Sequence, residues 1–97
     1  MLKLVPFLVL FSTSALAANE IDIAVACQKM AAKKIIDQAY NFGCYVDQKA
    51  IVTVGYEDRK DETSRYVWYS AEASCADTGV YEIRRLVRYS YENGQCY

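Results

Sequence analysis

Apolar positions recur along this chain with two different periods, and the change of period divides it. From Glu20 to Phe42, Ile21, Ala24, Val25, Ala32, Ile35, Ala39 and Phe42 fall on one helical stripe, while Lys29, Lys33, Lys34, Asp37 and Asn41 fall away from it. Alanines dominate the stripe, so this helix is expected to approach a sheet closely. Gln28 is the one polar residue inside it. Gly43 stands just past the last periodic residue, where helices end in a left-handed conformation that glycine tolerates. One helix over 20–42 is predicted.

Beyond Gly43 the period becomes two. Ala50 to Tyr56 is β-branched and aromatic. Tyr66 to Cys75 puts Val67, Tyr69, Ala71, Ala73 and Cys75 on one face, and Tyr81 to Tyr91 puts Tyr81, Ile83, Val87, Tyr89 and Tyr91 on one face. A charged loop, Glu57 to Ser64, and a short Ala76-Asp77-Thr78-Gly79 turn separate these runs, and connections this short make antiparallel hairpins. The fold class is therefore α+β: one N-terminal helix on a three- to four-stranded antiparallel sheet.

Strand register decides which face each residue takes, because a slip of one residue exchanges the faces. With Cys75 opposite Tyr81, the apolar faces of the three strands coincide. Val52, Val54 and Tyr56, then Val67, Tyr69, Ala71 and Ala73, then Ile83, Val87 and Tyr89 lie under the helix, with Arg85 the exception. The other face carries Thr53, Tyr66, Trp68, Glu72, Arg84, Leu86 and Arg88.

The first residues change the setting. Met1-Leu2-Lys3, an apolar run from Leu4 to Phe11 and the small residues Ser12 to Ala17 form a signal-peptide pattern, with cleavage expected after Ala17. The run is too short to span a bilayer and contains Pro6. The predicted organisation is a signal peptide over 1–17 and one domain over 18–97, with no membrane association after cleavage. The destination is the extracellular space, or the periplasm in a bacterium.

Loss of the signal peptide removes Lys3 and moves the formal net charge from −1 to about −2. That balance is neither a nucleic-acid footprint nor an acidic tail. A domain this small needs reinforcement, and the four cysteines supply it. An even count in an exported chain indicates two disulfides. If the helix runs down and the strands then run up, down and up, Cys44 and Cys75 share one end and Cys27 and Cys96 the other. The predicted bridges are Cys27–Cys96 and Cys44–Cys75.

Reactive groups are scarce. The chain has no histidine, so no His-based acid, base or triad can form, and the spacing shows no CxxC, phosphate-binding glycine loop or metal-ligand pattern. No cofactor and no metal are expected. The acids of the Glu57–Glu62 run are offset by Arg59 and Lys60, which suits a solvated loop better than a cation site. No carboxylate pair is singled out for hydrolysis. The distinctive feature is the outer sheet face, where Tyr66, Trp68, Arg84, Leu86 and Arg88 make an aromatic and cationic patch suited to a protein contact or to stacked bases.

Cys27-Gln28-Lys29-Met30 leading to Ala39-Tyr40-Asn41-Phe42-Gly43-Cys44, the segment Tyr66-Val67-Trp68-Tyr69, and the ending Arg88-Tyr89-Ser90-Tyr91-Glu92-Asn93-Gly94-Gln95-Cys96 resemble the small secreted fungal ribonuclease-like effectors. These are relatives in fold of the guanyl-specific microbial ribonucleases. The resemblance implies a first-to-last cysteine bridge, in agreement with Cys27–Cys96. Catalytic members use a middle-strand Glu and two His. Here Val67 stands between Tyr66 and Trp68, and of such a site only Arg84, Arg85 or Arg88 could survive.

The resemblance thus implies a catalytically dead effector that binds a host protein or RNA, a protein partner being the first expectation. A bacterial periplasmic inhibitor or toxin-immunity protein that blocks a hydrolase is the alternative. Its cystatin-like form is not met, since Ile51-Val52-Thr53-Val54-Gly55 keeps only the glycine of that motif. An enzyme working through carboxylates and arginine is the third.

Overall fold

A computed structural model describes residues 19–57, 63–77 and 79–97. The predicted signal peptide with its cleavage after Ala17 lies outside the described residues, as do positions 58–62 of the charged loop and Thr78. Two helices replace the single predicted one: α1 (Glu20–Ala26) and α2 (Gln28–Asn41). The Asn19 side chain caps α1 by accepting from the Asp22 amide at 2.9 Å, with Glu20 and Asp22 in the first turn. At the junction Cys27 leaves helical geometry (φ −96°, ψ 2°). The hydrogen bonds nevertheless run through it, from the Cys27 amide to Ile23 O and from the Ala31 amide to Cys27 O, each 3.0 Å.

The buried row of the helices is Ile23, Cys27, Ala31, Ile35 and Ala39, with Ala24 and Ala32 beside it. Of the predicted stripe, Ile21, Val25 and Phe42 are instead exposed, at 72%, 71% and 64%. Burial follows Cys27, which packs as an apolar residue and is bonded to Cys96. A residue two positions from this row lies roughly on the opposite side at about 100° per residue, and Ile21 and Val25 are two positions from Ile23 and Cys27. Gln28 is accommodated by donating from Nε2 to Ile51 O at 3.1 Å. Gly43 (φ +71°) ends α2 as expected, its amide reaching Tyr40 O at 3.0 Å.

Four strands follow: β1 (Cys44–Tyr45), β2 (Val52–Tyr56), β3 (Ser64–Cys75) and β4 (Gly79–Ser90). All pairings are antiparallel and all involve β3. β4 runs along its whole length on one side; β2 and then β1 occupy the other. The final residues return along the free edge of β4. Arg88 and Tyr97 exchange backbone hydrogen bonds of 3.0 and 2.8 Å, and the Ser90 amide donates to Gln95 O at 2.9 Å.

Two register expectations change. Cys75 lies opposite Gly79, and Tyr81 opposite Ala73, a shift of two residues. Gly79 (φ +83°) lets the chain reverse that early, and an even shift leaves every residue of β3 and β4 on its predicted face. β2 does not follow. An irregularity in the β2–β3 pairing between Thr53 and Gly55 puts Thr53 opposite Tyr69 and Val52 opposite Ser70. Val52 and Val54 are therefore exposed rather than under the helices, Thr53 faces inward, and Tyr56 regains the predicted side opposite Val67.

Val67, Tyr69, Ala71, Ala73, Ile83 and Val87 pack against the buried row of α1 and α2. The Tyr69 hydroxyl donates to Ala24 O at 2.7 Å. Arg65 pairs with Glu20, and the Tyr56 hydroxyl donates to Glu20 O at 2.8 Å, holding the start of α1 to the sheet. Both predicted disulfides are formed, Cys27–Cys96 and Cys44–Cys75, with Cα separations of 5.5 and 4.2 Å. No described helix is long and apolar enough to cross a membrane.

Candidate functional site

Both helices pack on one face of the sheet, and the five residues singled out from the sequence meet on the other. β3 and β4 pair Tyr66 with Arg88, Trp68 with Leu86, Ser70 with Arg84 and Glu72 with Glu82, four successive rungs of one face. Side chains of opposed residues on one face are close neighbours. Tyr66, Trp68, Leu86 and Arg88 are half-buried and Arg84 is exposed. A shallow depression of about 180 Å³, lined by Val54, Gly55, Tyr56, Trp68 and Arg84, opens at the β2 side of this face.

Hydrogen bonds order the patch. Trp68 donates from Nε1 to Glu57 Oε2 at 2.8 Å. Arg88 donates to Ser64 Oγ at 3.2 Å, with its guanidinium 4.4 Å from the Tyr97 ring centre. Arg84 donates to Glu82 Oε2 at 3.1 Å, and Ser70 donates to the same oxygen at 2.5 Å. These two bonds, with the Arg84 charge, hold the Glu82 carboxyl below its usual range. The sequence showed neither Glu57 nor Ser70 as parts of this patch. Tyr97, which stacks on Arg88, also escaped it, because only the returning tail brings that ring to β4.

Glu72 and Glu82 are the acids that the pairing sets directly opposite each other. A general acid needs a raised carboxyl pKa, and Glu82 has the reverse. Arg85 does not join the patch; it lies on the helix side and donates to Gln38 Oε1 at 3.0 Å. Val67, where the resemblance implies a catalytic Glu in active ribonucleases, is fully buried beneath the helices. All four cysteines are in disulfides. Among the described residues no group of three or more Cys, Asp or Glu is arranged to hold a metal ion.

The face mixes two arginines with Glu57, Glu72 and Glu82 around an aromatic and aliphatic centre. Among the described residues it does not present the run of unopposed cations that tracks a phosphate backbone. No family model, no curated protein sequence and no solved structure matches this chain.

Proposed function

We propose that this is an exported, non-enzymatic binding protein of the effector type, which engages another protein through the outer sheet face of Tyr66, Trp68, Arg84, Leu86 and Arg88. The observation that carries the reading is the pairing of Tyr66 with Arg88 and Trp68 with Leu86 on a face against which neither helix packs. Aromatic and arginine side chains around an aliphatic centre are the composition of protein-binding hot spots. The mixed charge favours a protein over RNA. Two disulfides suit an oxidising destination. The absence of histidine and the resemblance to catalytically dead ribonuclease-like effectors support a role without catalysis.

The test places a photo-crosslinking amino acid at Leu86 and, as a control, at Asn93. A protein captured only from Leu86 is then purified and its affinity measured. Trp68→Ala is expected to weaken binding by about tenfold or more while leaving the melting temperature within about 3 °C. Equal affinity for the variant overturns the reading. So does steeply salt-dependent binding of single-stranded RNA that Arg84→Ala with Arg88→Ala abolishes.

A further inference from the structure

The edge of β4 offers a second surface, made by main-chain groups where the outer face is made by side chains. Arg88 and Ser90 direct their backbone groups away from β3, toward the returning tail. Strand alternation then turns the N–H and C=O of Val80, Glu82, Arg84 and Leu86 the same way. The Leu86 carbonyl is taken by Lys34 Nζ at 3.0 Å. For Val80, Glu82 and Arg84 no described residue supplies a backbone partner on that side. A row of unpaired strand groups is a template for another strand, and the tail at Arg88 and Ser90 already uses the upper part of this edge in that way.

A groove along α2 meets β4 at Arg85, next to this edge. One depression of about 530 Å³ lies between α2 and Arg85; another of about 450 Å³ continues it to Gly94–Cys96, and both are lined by Met30 and Lys33. Lys29, Lys33, Lys34 and Arg85 line this groove. Asp37 is the one acid among the described residues that line it, and it is engaged by Lys33 at 3.2 Å. The cations are thus concentrated here in a chain of formal net charge −1. Lys34 and Arg85 stand together, and no carboxylate among the described residues is bonded to either. The Lys34 ammonium is held below its usual range by burial and by the Arg85 charge.

We infer that the β4 edge from Val80 to Arg84 binds an extended acidic peptide segment, which adds a strand to the sheet and lays its acidic side chains toward Lys33, Lys34 and Arg85. The main-chain row selects a peptide rather than a nucleic acid, because phosphate backbones do not complete a β-ladder. The lysines select an acidic strand rather than a second copy of the same cationic edge, since like charges repel and edge lysines discourage self-pairing. Alternation along the added strand requires acids at every second position.

The probe is a seven-residue peptide, Glu-Val-Glu-Thr-Glu-Val-Glu with blocked ends, titrated into the oxidised protein secreted from the full-length gene. Its binding is expected to shift the amide resonances of Val80, Glu82 and Arg84 and slow their hydrogen exchange. Lys33→Glu with Lys34→Glu should weaken it by about tenfold or more. Glu82→Pro removes an outward N–H without touching the β3 ladder and should weaken it at least about fivefold, whereas Glu82→Ala, which controls for the lost carboxylate, should not. Trp68→Ala should leave it unchanged, so failure here is separable from failure at the outer face. Undiminished binding of the same peptide with alternate amides N-methylated overturns the strand-addition geometry. No peptide binding, or preferential binding of oligouridine through the same lysines, overturns the proposal.

Discussion

Val67 meets Val87 on one face of the β3–β4 ribbon; one residue along each strand, Trp68 meets Leu86 on the other. Val67, Tyr69, Ala73, Ile83 and Val87 on the first face are 2% exposed or less. Their environment is other side chains, packed to the density of a solid. The second face is ordered chiefly by hydrogen bonds, in which half-buried or exposed side chains cover two buried serines: Trp68 to Glu57, Ser70 and Arg84 to Glu82, Arg88 to Ser64. Stability therefore resides on the helix side. The half-buried side chains of the outer face are freer to serve a partner, because their replacement removes less buried surface than replacement of a fully buried residue.

Removing the Cys27–Cys96 bridge, which ties the junction of the helices to the tail, should have the largest effect. Its sequence separation of 69 corresponds to about 4 kcal/mol in the loop-entropy model. The double Ala variant should unfold at much lower urea concentration, and a loss below about 1 kcal/mol would show that the helices hold the inner face without it. Next, Ile83→Ala should destabilise by about 2–4 kcal/mol and Leu86→Ala by about 1 kcal/mol or less. Equal losses in urea melts would erase the distinction between the faces.

The pH dependences sharpen the comparison further. Burial, with the neighbouring Tyr56, pushes the Tyr69 phenol up to about 12. A folded-state value above the unfolded one means stability that is full below about pH 10 and lost as pH rises toward 12. Tyr69→Phe should flatten that alkaline limb in stability measurements across this range, and should cost about 1 kcal/mol at neutral pH for the lost bond to Ala24 O. Glu82 on the outer face should show the smallest effect, with the opposite sign. Its lowered carboxyl pKa contributes stability above the usual carboxylate range, which is lost as pH falls through the folded value. Glu82→Gln should make the acid limb slightly shallower, and an acid limb dominated by this one residue would contradict its exposed position.

Much of the outer patch was legible because β3 and β4 are long, regular and joined by a short turn. A two-residue error in their register preserved every face, so Tyr66, Trp68, Arg84, Leu86 and Arg88 were gathered correctly. β2 was not legible in the same way. Val52, Thr53 and Val54 alternate too weakly to reveal an irregularity, and one extra residue exchanges the faces. In the helices the four-residue spacing of Ile23, Cys27, Ala31, Ile35 and Ala39 was visible, but the large side chains of Ile21, Val25 and Phe42 outweighed a row in which two alanines and a half-cystine accompany the isoleucines. Nothing local marked the edge of β4 as a surface, since it arises where the tail stops and α2 stands alongside.

The sequence alone marked the helical region, the three longer strands and their antiparallel order, because periodicity, glycine positions and short connections act over a few residues. The cysteine pairs followed from the strand directions, while the break at Cys27 and the short strand β1 left no such signal. Only the tertiary structure decided which side of α1 is buried, where β2 changes face, that Tyr97 stacks on Arg88, and that three lysines and Arg85 border an open strand edge. Those outcomes depend on contacts between separate elements rather than between neighbours within one, and there many arrangements satisfy the local pattern; packing around the Cys27–Cys96 bridge helps to select among them.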